Sequence, residues 1–319
     1  MKIAWMAAAR GSSRLMFAAL IVGGLVAPFL AYPTFLMKVL CFALFASAFN
    51  LLLGFVGLLS FGHAAFFAFG AYVCGYLCKN LGAPPEVGIL AGTASASMLG
   101  TVFGLLAIRR SGIYFAMITL ALAQLVYFLE VQLPFTGGED GLQGIPRGRL
   151  FGLIDLSDNM VMYFFVLAIY LAGFWLIHRT IHSPFGQILK AIRENEPRAI
   201  SLGYAVDRYK LLAFVLSATL TGLAGATKAI VFQLASLTDA DWHMSGEVVL
   251  MTLLGGLGTV LGPSVGALTI VGLQDLLADK VGSWVTVITG AIFVVCVLLF
   301  RRGIVGELRA LIFTRRSGA

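Results

Sequence analysis

Long apolar runs separated by short polar segments make up most of this chain. Most runs have close to the roughly 20 residues that a helix needs to cross a bilayer. They do not alternate as barrel strands do, and a backbone inside lipid must satisfy its own hydrogen bonds, so each run is predicted to be helical. The runs are Leu15–Tyr32, Phe35–Leu53, Gly57–Cys78, Val87–Ile108, Ser111–Val131, Met160–His178, Leu211–Leu234, Ser245–Ala278 and Val281–Phe300. The pattern predicts an all-α fold, a polytopic membrane helix bundle.

The composition indicates that lipid surrounds much of this bundle. Of the 319 residues, 60 % are hydrophobic and 12 % are charged, whereas soluble domains are about one-quarter charged. The net charge is +7. The basic residues lie between the apolar runs rather than on a basic face with exposed aromatic side chains, so nucleic acid is not an expected partner.

The positions of Lys and Arg predict the orientation. Most of the 22 basic residues fall in four segments: residues 1–14, 109–110, 179–210 and 301–316. These segments share one side of the membrane if each run up to the seventh crosses once, and basic loops face the cytoplasm. Both termini are therefore predicted to be cytoplasmic. The predicted parts are a cytoplasmic N-terminus (1–14), a transmembrane domain of about 8–10 spans (15–302) and a cytoplasmic C-terminal tail (303–319).

The longest run is constrained by the same count of crossings. After seven crossings the chain is outside, so Ser245–Ala278 must start and end outside. It forms either two short spans or a re-entrant hairpin. Its middle holds residues that break and turn a helix, namely Gly255, Gly256, Gly258, Gly262 and Pro263.

His182–Lys210 is the longest polar segment on the predicted cytoplasmic side. Ser183 is placed to cap a helix that has Pro184 at its first position. Pro197 is expected to interrupt this helix and start a second one, which Gly203 can end. The apolar face of this pair comprises Ile188, Leu189, Ile192 and Ala199. Such a pair is either an interfacial connecting loop or a docking surface whose apolar side enters a partner's groove.

Small residues cluster in two stretches. One is the glycine-rich middle of Ser245–Ala278, and the other contains Gly54, Gly57, Ser60, Gly62 and Gly70. Small residues let helix backbones approach closely, which favours helix packing. Lining of a transport pathway is the functional alternative.

Five charged residues lie within or beside the apolar runs: Lys38, Glu130, Lys228, Glu247 and Asp275. A charge at the bilayer centre costs roughly 2.5–3.5 kcal/mol. Only Lys228 is a serious interior case, because the others lie within about two turns of predicted run ends, where side chains can reach the interface. The alternative for Lys228 is that it too reaches the outer interface. No ladder of acidic residues suggests a proton or sodium relay.

No catalytic residue, metal site or cofactor is predicted. Cys74/Cys78 and His178/His182 are pairs at helical spacing, but a dedicated metal site needs three or four ligands. No Gly-Lys dipeptide occurs in the chain, so it has no Walker A loop to hold ATP phosphates. Any ATP that drives transport would be used by a separate subunit.

Several motifs jointly give a family resemblance. They are Gly54-x-x-Gly57-x-x-Ser60-x-Gly62-x-Ala64, Thr136–Leu142, Ser183–Gln187, Ala191–Glu196, Tyr209–Phe214, Gly222–Gly225, Gly255–Thr259 and Gly262-Pro263. With these motifs, from about residue 36 to 302, the chain resembles the branched-chain amino acid permeases of bacterial ABC importers, in particular the LivM-type subunit.

The resemblance implies a type II importer permease of the bacterial inner membrane that works by alternating access. Its implied partners are a second homologous permease, two cytoplasmic ABC ATPases and a periplasmic substrate-binding protein. The resemblance also implies a cytoplasmic coupling loop, residues 179–210. The implied ATPase-coupling residues within it are Arg193, Glu194, Asn195, Glu196, Arg198, Ala199 and Gly203. The general permease motif Glu-Ala-Ala-x-x-x-Gly aligns by its glycine to Gly203; Ala199 then matches, whereas Pro197 and Arg198 depart.

Three alternatives remain at this stage. A permease of the same family could carry urea or short amides, because selectivity would lie largely in the binding protein. An ion-coupled secondary transporter would show paired repeats with interior carboxylates. A membrane-embedded enzyme would need polar residues that converge at one depth, and the sequence gives no sign of either pattern.

Overall fold

The computed structural model describes residues 2–281 and, beyond them, 287–288, 290–291, 294 and 303–307. Most of the predicted last run, Val281–Phe300, and most of the predicted tail, 303–319, lie outside the described residues. Within residues 2–281 the chain forms eleven α-helices and little else. The helices are α1 (Lys2–Leu30), α2 (Pro33–Phe55), α3 (His63–Asn80), α4 (Pro85–Ala107), α5 (Ile113–Gln132), α6 (Asn159–Ile181), α7 (Pro184–Glu194), α8 (Glu196–Ser201), α9 (Val206–Phe232), α10 (Trp242–Gly255) and α11 (Gly262–Val281).

Five of the described helices, α2, α4, α5, α6 and α9, are long and apolar enough to cross a membrane. Shorter apolar helical stretches are Met16–Leu30 of α1 and Gly262–Ala278 of α11. The outward face of α4 exposes Leu90, Met98 and Leu105. Apolar faces of this kind are compatible with lipid. The predicted all-α, multi-pass membrane bundle is confirmed.

Short strands lie at one end of the bundle, opposite α7 and α8. Residues 133–158 join α5 to α6 there. They contain β1 (Leu142–Gln143), β2 (Arg149–Leu150) and β3 (Ile154–Asp155), whereas β4 (Leu234–Ala235) follows α9. The antiparallel pairs are β1 with β4 and β2 with β3. The end that carries α7 and α8 is called the coupling end below, after the role that the family resemblance leads us to expect for it.

The predicted run Gly57–Cys78 is not one helix, because the non-helical segment Val56–Gly62 separates α2 from α3. Gly57 has φ +85°, a left-handed conformation that favours glycine. The Phe61 amide donates to Oγ1 of Thr119 on α5 over 3.1 Å. The break thus depends on a partner 58 residues along the chain, which a local pattern does not reveal.

The predicted run Ser245–Ala278 forms the greater part of a helical hairpin, α10 and α11. Its turn, Gly256–Leu261, lies at the coupling end beside Asn50 near the end of α2. Gly256 and Gly258 make the turn with φ values of 121° and 70°. Helix α10 has 14 residues and spans about 21 Å. It is therefore shorter than the roughly 30 Å hydrocarbon core of a bilayer.

Close helix contacts at the centre of the bundle join α3, α4 and α9. A Cβ at Gly70 of α3 would lie 2.7 Å from the carbonyl oxygen of Gly222 on α9. A Cβ at Gly225 would overlap the backbone of Phe67 on α3. Missing side chains at these places let the backbones touch. Gly70 therefore serves helix packing.

Replacement of Gly70 by Ala should lower the free energy of unfolding of the detergent-solubilised protein by about 1–3 kcal/mol. The new methyl group would clash with the backbone of Gly222, which cannot move away as a side chain can. Gly23→Ala on α1 is the matched control, since nothing lies within 4 Å of its added Cβ. The control should keep or raise stability because alanine favours helix over glycine. Thermal unfolding of both variants checks this, and equal melting temperatures would contradict the packing account.

Candidate functional site

The α7–α8 segment, Pro184–Ser201, begins and ends as the local signals predict. The Ser183 side chain accepts a hydrogen bond from the Gly186 amide over 3.3 Å and caps α7. The Asn195 side chain accepts from the Arg198 amide over 3.0 Å and caps α8. Pro184 and Pro197 lie in the first turns of the two helices. The predicted helix pair is confirmed.

The apolar face of this segment is buried against the chain's own bundle. Ile192 and Ala199 pack with Val206 at the start of α9. Leu189 joins a cluster that includes Phe214 of α9. The hypothesis that this apolar side enters a partner's groove is therefore wrong, because the bundle already covers it. The surface left for a partner is the polar one.

The predicted coupling residues divide between these two surfaces. Exposed residues are Arg193, Glu194, Asn195, Arg198 and Gly203. Ala199 is buried and Glu196 is partly buried. The Glu196 carboxylate accepts a hydrogen bond from the Lys210 ammonium of α9 over 2.5 Å, and Lys210 is only 3 % exposed. A buried cation needs such a partner, so this ion pair fixes α8 to α9.

Arg193 makes the most informative contact of the segment. Its Nη1 donates a hydrogen bond to the carbonyl oxygen of Gly54, in the last turn of α2. Glycines leave room for the long side chain. A Cβ at Gly57 would lie 3.1 Å from Cγ of Arg193, and one at Gly258 would lie 3.2 Å from Nη1. Three glycines predicted to serve helix packing or pathway lining therefore lie beside one arginine.

Asn50 of α2 connects the α10–α11 turn to the same place. Its Nδ2 donates to the Thr259 carbonyl over 2.8 Å, and its Oδ1 accepts from the Gly258 amide over 3.1 Å. The contacts of Arg193 and Asn50 with Gly54, Gly258 and Thr259 are called the Arg193 junction below. Asn50 is a polar residue inside the apolar run Phe35–Leu53, and this was the sequence signal for its role. The sequence analysis did not select it.

A cleft of about 490 Å³ opens beside the Arg193 junction. It is lined by Gly54, Phe55, Lys190, Arg193, Glu194 and Gly258. The Lys190 ammonium lies 5.8 Å from the centre of the Phe55 ring, within range of a cation–π interaction. Two cations of α7 thus approach the last two residues of α2.

The remaining small residues of the two stretches serve backbone geometry. The Ser60 hydroxyl accepts from the Gly62 amide over 3.2 Å within the break before α3. A Cβ at Gly62 would lie 3.1 Å from the carbonyl oxygen of Thr119. A Cβ at Gly255 would overlap Gly262, so both residues allow the close hairpin of α10 and α11. The carbonyl of Gly256 accepts from the Thr259 hydroxyl over 2.8 Å and closes the turn.

Two interior charges differ in how they are satisfied. Lys228, which the sequence places in the interior, forms an ion pair with Asp239 over 2.5 Å. Glu130 was expected to reach the interface, and this expectation is wrong, because it is only 1 % exposed. The segment after α5 folds back over it, and the Thr136 hydroxyl donates to the Glu130 backbone carbonyl. Neither carboxylate oxygen of Glu130 has a hydrogen-bond partner among the described residues.

Comparisons with known proteins agree with this architecture. The family model described as "Branched-chain amino acid transport system / permease component" matches residues 31–297. The high-affinity branched-chain amino acid transport system permease protein LivM of Escherichia coli (strain K12) is 29 % identical over 258 residues, which cover 72 % of this chain and 60 % of that relative. The chain thus spans about 60 % of the length of this relative. No solved structure matches.

Two further relatives carry names of other cargoes. The autoinducer 2 import system permease protein LsrC of Klebsiella pneumoniae is 31 % identical over 199 residues, which cover 58 % of this chain and 53 % of that relative. The ribose import permease protein RbsC of Bacillus subtilis (strain 168) is 28 % identical over 196 residues, which cover 57 % of this chain and 58 % of that relative. Because the family model spans most of the helical bundle, the chain belongs to the branched-chain amino acid transport system permease family, a family of type II ABC importer permeases.

Proposed function

We propose that this chain is the membrane permease subunit of an ATP-driven importer whose cargo is branched-chain amino acids. Family membership supports the permease role, and the LivM name of the Escherichia coli relative supports the cargo. The observation that carries the mechanism is the α7–α8 segment. Its polar side is exposed, and Arg193 bonds it to the end of α2 beside the α10–α11 turn.

The mechanism is alternating access driven from the coupling end. Two cytoplasmic ABC ATPases bind and hydrolyse ATP, and their closure moves the α7–α8 segment. The helices attached to that segment then reorient and open the bundle to the other side. A second homologous permease completes the pathway, and a periplasmic binding protein delivers the cargo. This arrangement requires both termini and α7–α8 to face the cytoplasm, in agreement with the basic residues of segments 1–14 and 179–210.

The docking surface for the ATPase is the polar side of the α7–α8 segment. Glu194, Asn195 and Arg198 are exposed there, and the left-handed Gly203 follows the end of the segment. Charged groups at the rim of an interface set partner choice and association rate. An ATPase surface with complementary charges fits this side, whereas the apolar side is already buried in the bundle.

A second candidate cargo is a sugar or a sugar-like molecule. The relatives LsrC and RbsC are named for autoinducer 2 and ribose, and they align over more than half of this chain. The permease architecture serves either cargo, because a separate binding protein selects it. The alignment with LivM covers 72 % of this chain, whereas the alignment with LsrC covers 58 %. The longer alignment favours branched-chain amino acids as the cargo.

The transported cargo can be measured in proteoliposomes that contain the chain with its ATPases, second permease and binding protein. Leucine, isoleucine and valine should enter only when ATP reaches the ATPases, and excess unlabelled ribose should not compete. Ribose uptake without leucine uptake would favour the second candidate. Leucine uptake that persists without ATP would contradict an ATP-driven importer.

Charge reversal at the docking surface should weaken assembly. Arg198→Glu should lower co-purification of the ATPase and ATP-driven uptake together, by about tenfold if one hydrogen bond to a charged group is lost. Arg149→Glu, an exposed arginine at the opposite end of the bundle, is the matched control and should leave ATPase co-purification unchanged. Normal assembly of the Arg198 variant would place the docking surface elsewhere.

The Glu196–Lys210 pair gives a further test of how α8 is held. Glu196→Gln removes the charge partner of an almost fully buried ammonium, so the melting temperature of the permease should fall, with a loss of about 1.5–3 kcal/mol. The double variant Glu196→Gln/Lys210→Met removes both charges and should recover part of that loss. Equal melting temperatures for the wild type and the single variant would show that the pair does not anchor α8.

A further inference from the structure

We infer that Arg193 is the positioning residue that connects the α7–α8 segment mechanically to the membrane helices. Through the Arg193 junction, movement of α7 is passed to the end of α2 and to the α10–α11 hairpin. This inference rests on the proposed function and deepens it, because it assigns transmission and docking to different residues. Arg193 transmits the movement, whereas Arg198 contacts the ATPase.

The first support is the chemistry of the end of α2. The last four carbonyl groups of a helix have no partner within the helix, and they form the negative end of its dipole. At this end the Leu52 carbonyl is satisfied by the amides of Val56, Gly57 and Leu58. The Gly54 carbonyl instead receives the guanidinium of Arg193. The charge-assisted bond is stronger than a neutral one, so α7 supplies the cap that α2 needs.

The second support is the space kept for the arginine. Gly57 and Gly258 both adopt left-handed backbone conformations, with φ values of +85° and +70°. Side chains at either position would press on Arg193, and a Cβ at Gly54 would lie 2.8 Å from the Gly258 amide nitrogen. Gly57 and Gly258 thus keep space for the arginine, whereas Gly54 lets the end of α2 approach the α10–α11 turn.

The third support is the rigidity of what Arg193 holds. Every residue of α2 from Cys41 to Leu52 is buried, so this helix moves only together with its neighbours. Asn50 ties it to the α10–α11 turn through two hydrogen bonds. Farther along, Ser264 of α11 bonds to the Tyr170 hydroxyl of α6 over 2.7 Å and to Ser47 of α2 over 3.4 Å. A displacement of the end of α2 therefore reaches α6 and α11 as well.

Other contacts hold the α7–α8 segment in place without Arg193. Leu189 and Ile192 are buried, and the Glu196–Lys210 ion pair fixes α8. Loss of the Arg193 guanidinium should therefore leave the segment folded and its polar side available. The expected defect is a loss of coupling between ATP hydrolysis and transport rather than a loss of folding or assembly.

The test uses the full complex in proteoliposomes and compares Arg193→Met, Arg193→Gln and Arg193→Lys with the wild type. Uptake of labelled leucine per ATP hydrolysed should fall by about tenfold in the Met and Gln variants, the factor that loss of one hydrogen bond to a charged group corresponds to. The Lys variant should lie between them and the wild type, because its ammonium keeps a charged donor for the carbonyl but lacks the planar, preorganised guanidinium. ATPase co-purification should stay normal in all three.

Arg110→Met is the matched control, because Arg110 is an exposed arginine between α4 and α5, outside the Arg193 junction. It should keep the wild-type ratio of uptake to hydrolysis. A normal ratio in Arg193→Gln would overturn the inference, and so would lost co-purification with a normal melting temperature, which would make Arg193 a docking residue. A strongly lowered melting temperature in all three variants would overturn it in favour of a folding role. A wild-type complex that transports nothing would count against the proposed function instead.

Discussion

The bond between Arg193 and the carbonyl of Gly54 is the contact on which the coupling account depends. A helix inside a membrane has few ways to receive a force from the aqueous side, because its own hydrogen bonds are closed along its length. The end of α2 is one place where such a force can act, because its terminal carbonyls have no hydrogen-bond donor within the helix. An arginine from a peripheral helix meets this need and at the same time joins two elements that lie 139 residues apart in sequence.

The bundle around α2 converts this local bond into a property of the whole chain. Helix α2 packs against α6, α9, α10 and α11, and its inner half exposes almost no surface. Close-packed interiors pass strain on rather than absorb it. Small residues have two different uses in this bundle: Gly70 and Gly225 bring helices together, whereas Gly57 and Gly258 make room for Arg193. Glycine thus allows close helix packing inside the bundle and leaves space for the Arg193 side chain at its end.

Sequence reasoning reached those features that local chemistry determines. The apolar runs gave the membrane helices, and Ser183, Pro184 and Pro197 gave the limits of α7 and α8 because caps and prolines act on their own turn. Features that depend on contacts between distant residues were not predicted from the sequence. The target of Arg193 lies on another helix, and the burial of Glu130 depends on the segment after α5 that folds back over it. The predicted coupling loop contained Arg193, but only the fold shows that this arginine contacts the end of α2.

The most direct test of the central claim is a distance measured through the transport cycle. Spin labels at Gln187 on α7 and Leu257 in the α10–α11 turn, both exposed, report whether these two elements move as one body. In the complete complex the account predicts that this distance stays constant between the nucleotide-free and ATP-bound states, while the distance from Gln187 to a label at Arg110 changes. A Gln187–Leu257 distance that changes on ATP binding would contradict transmission through Arg193.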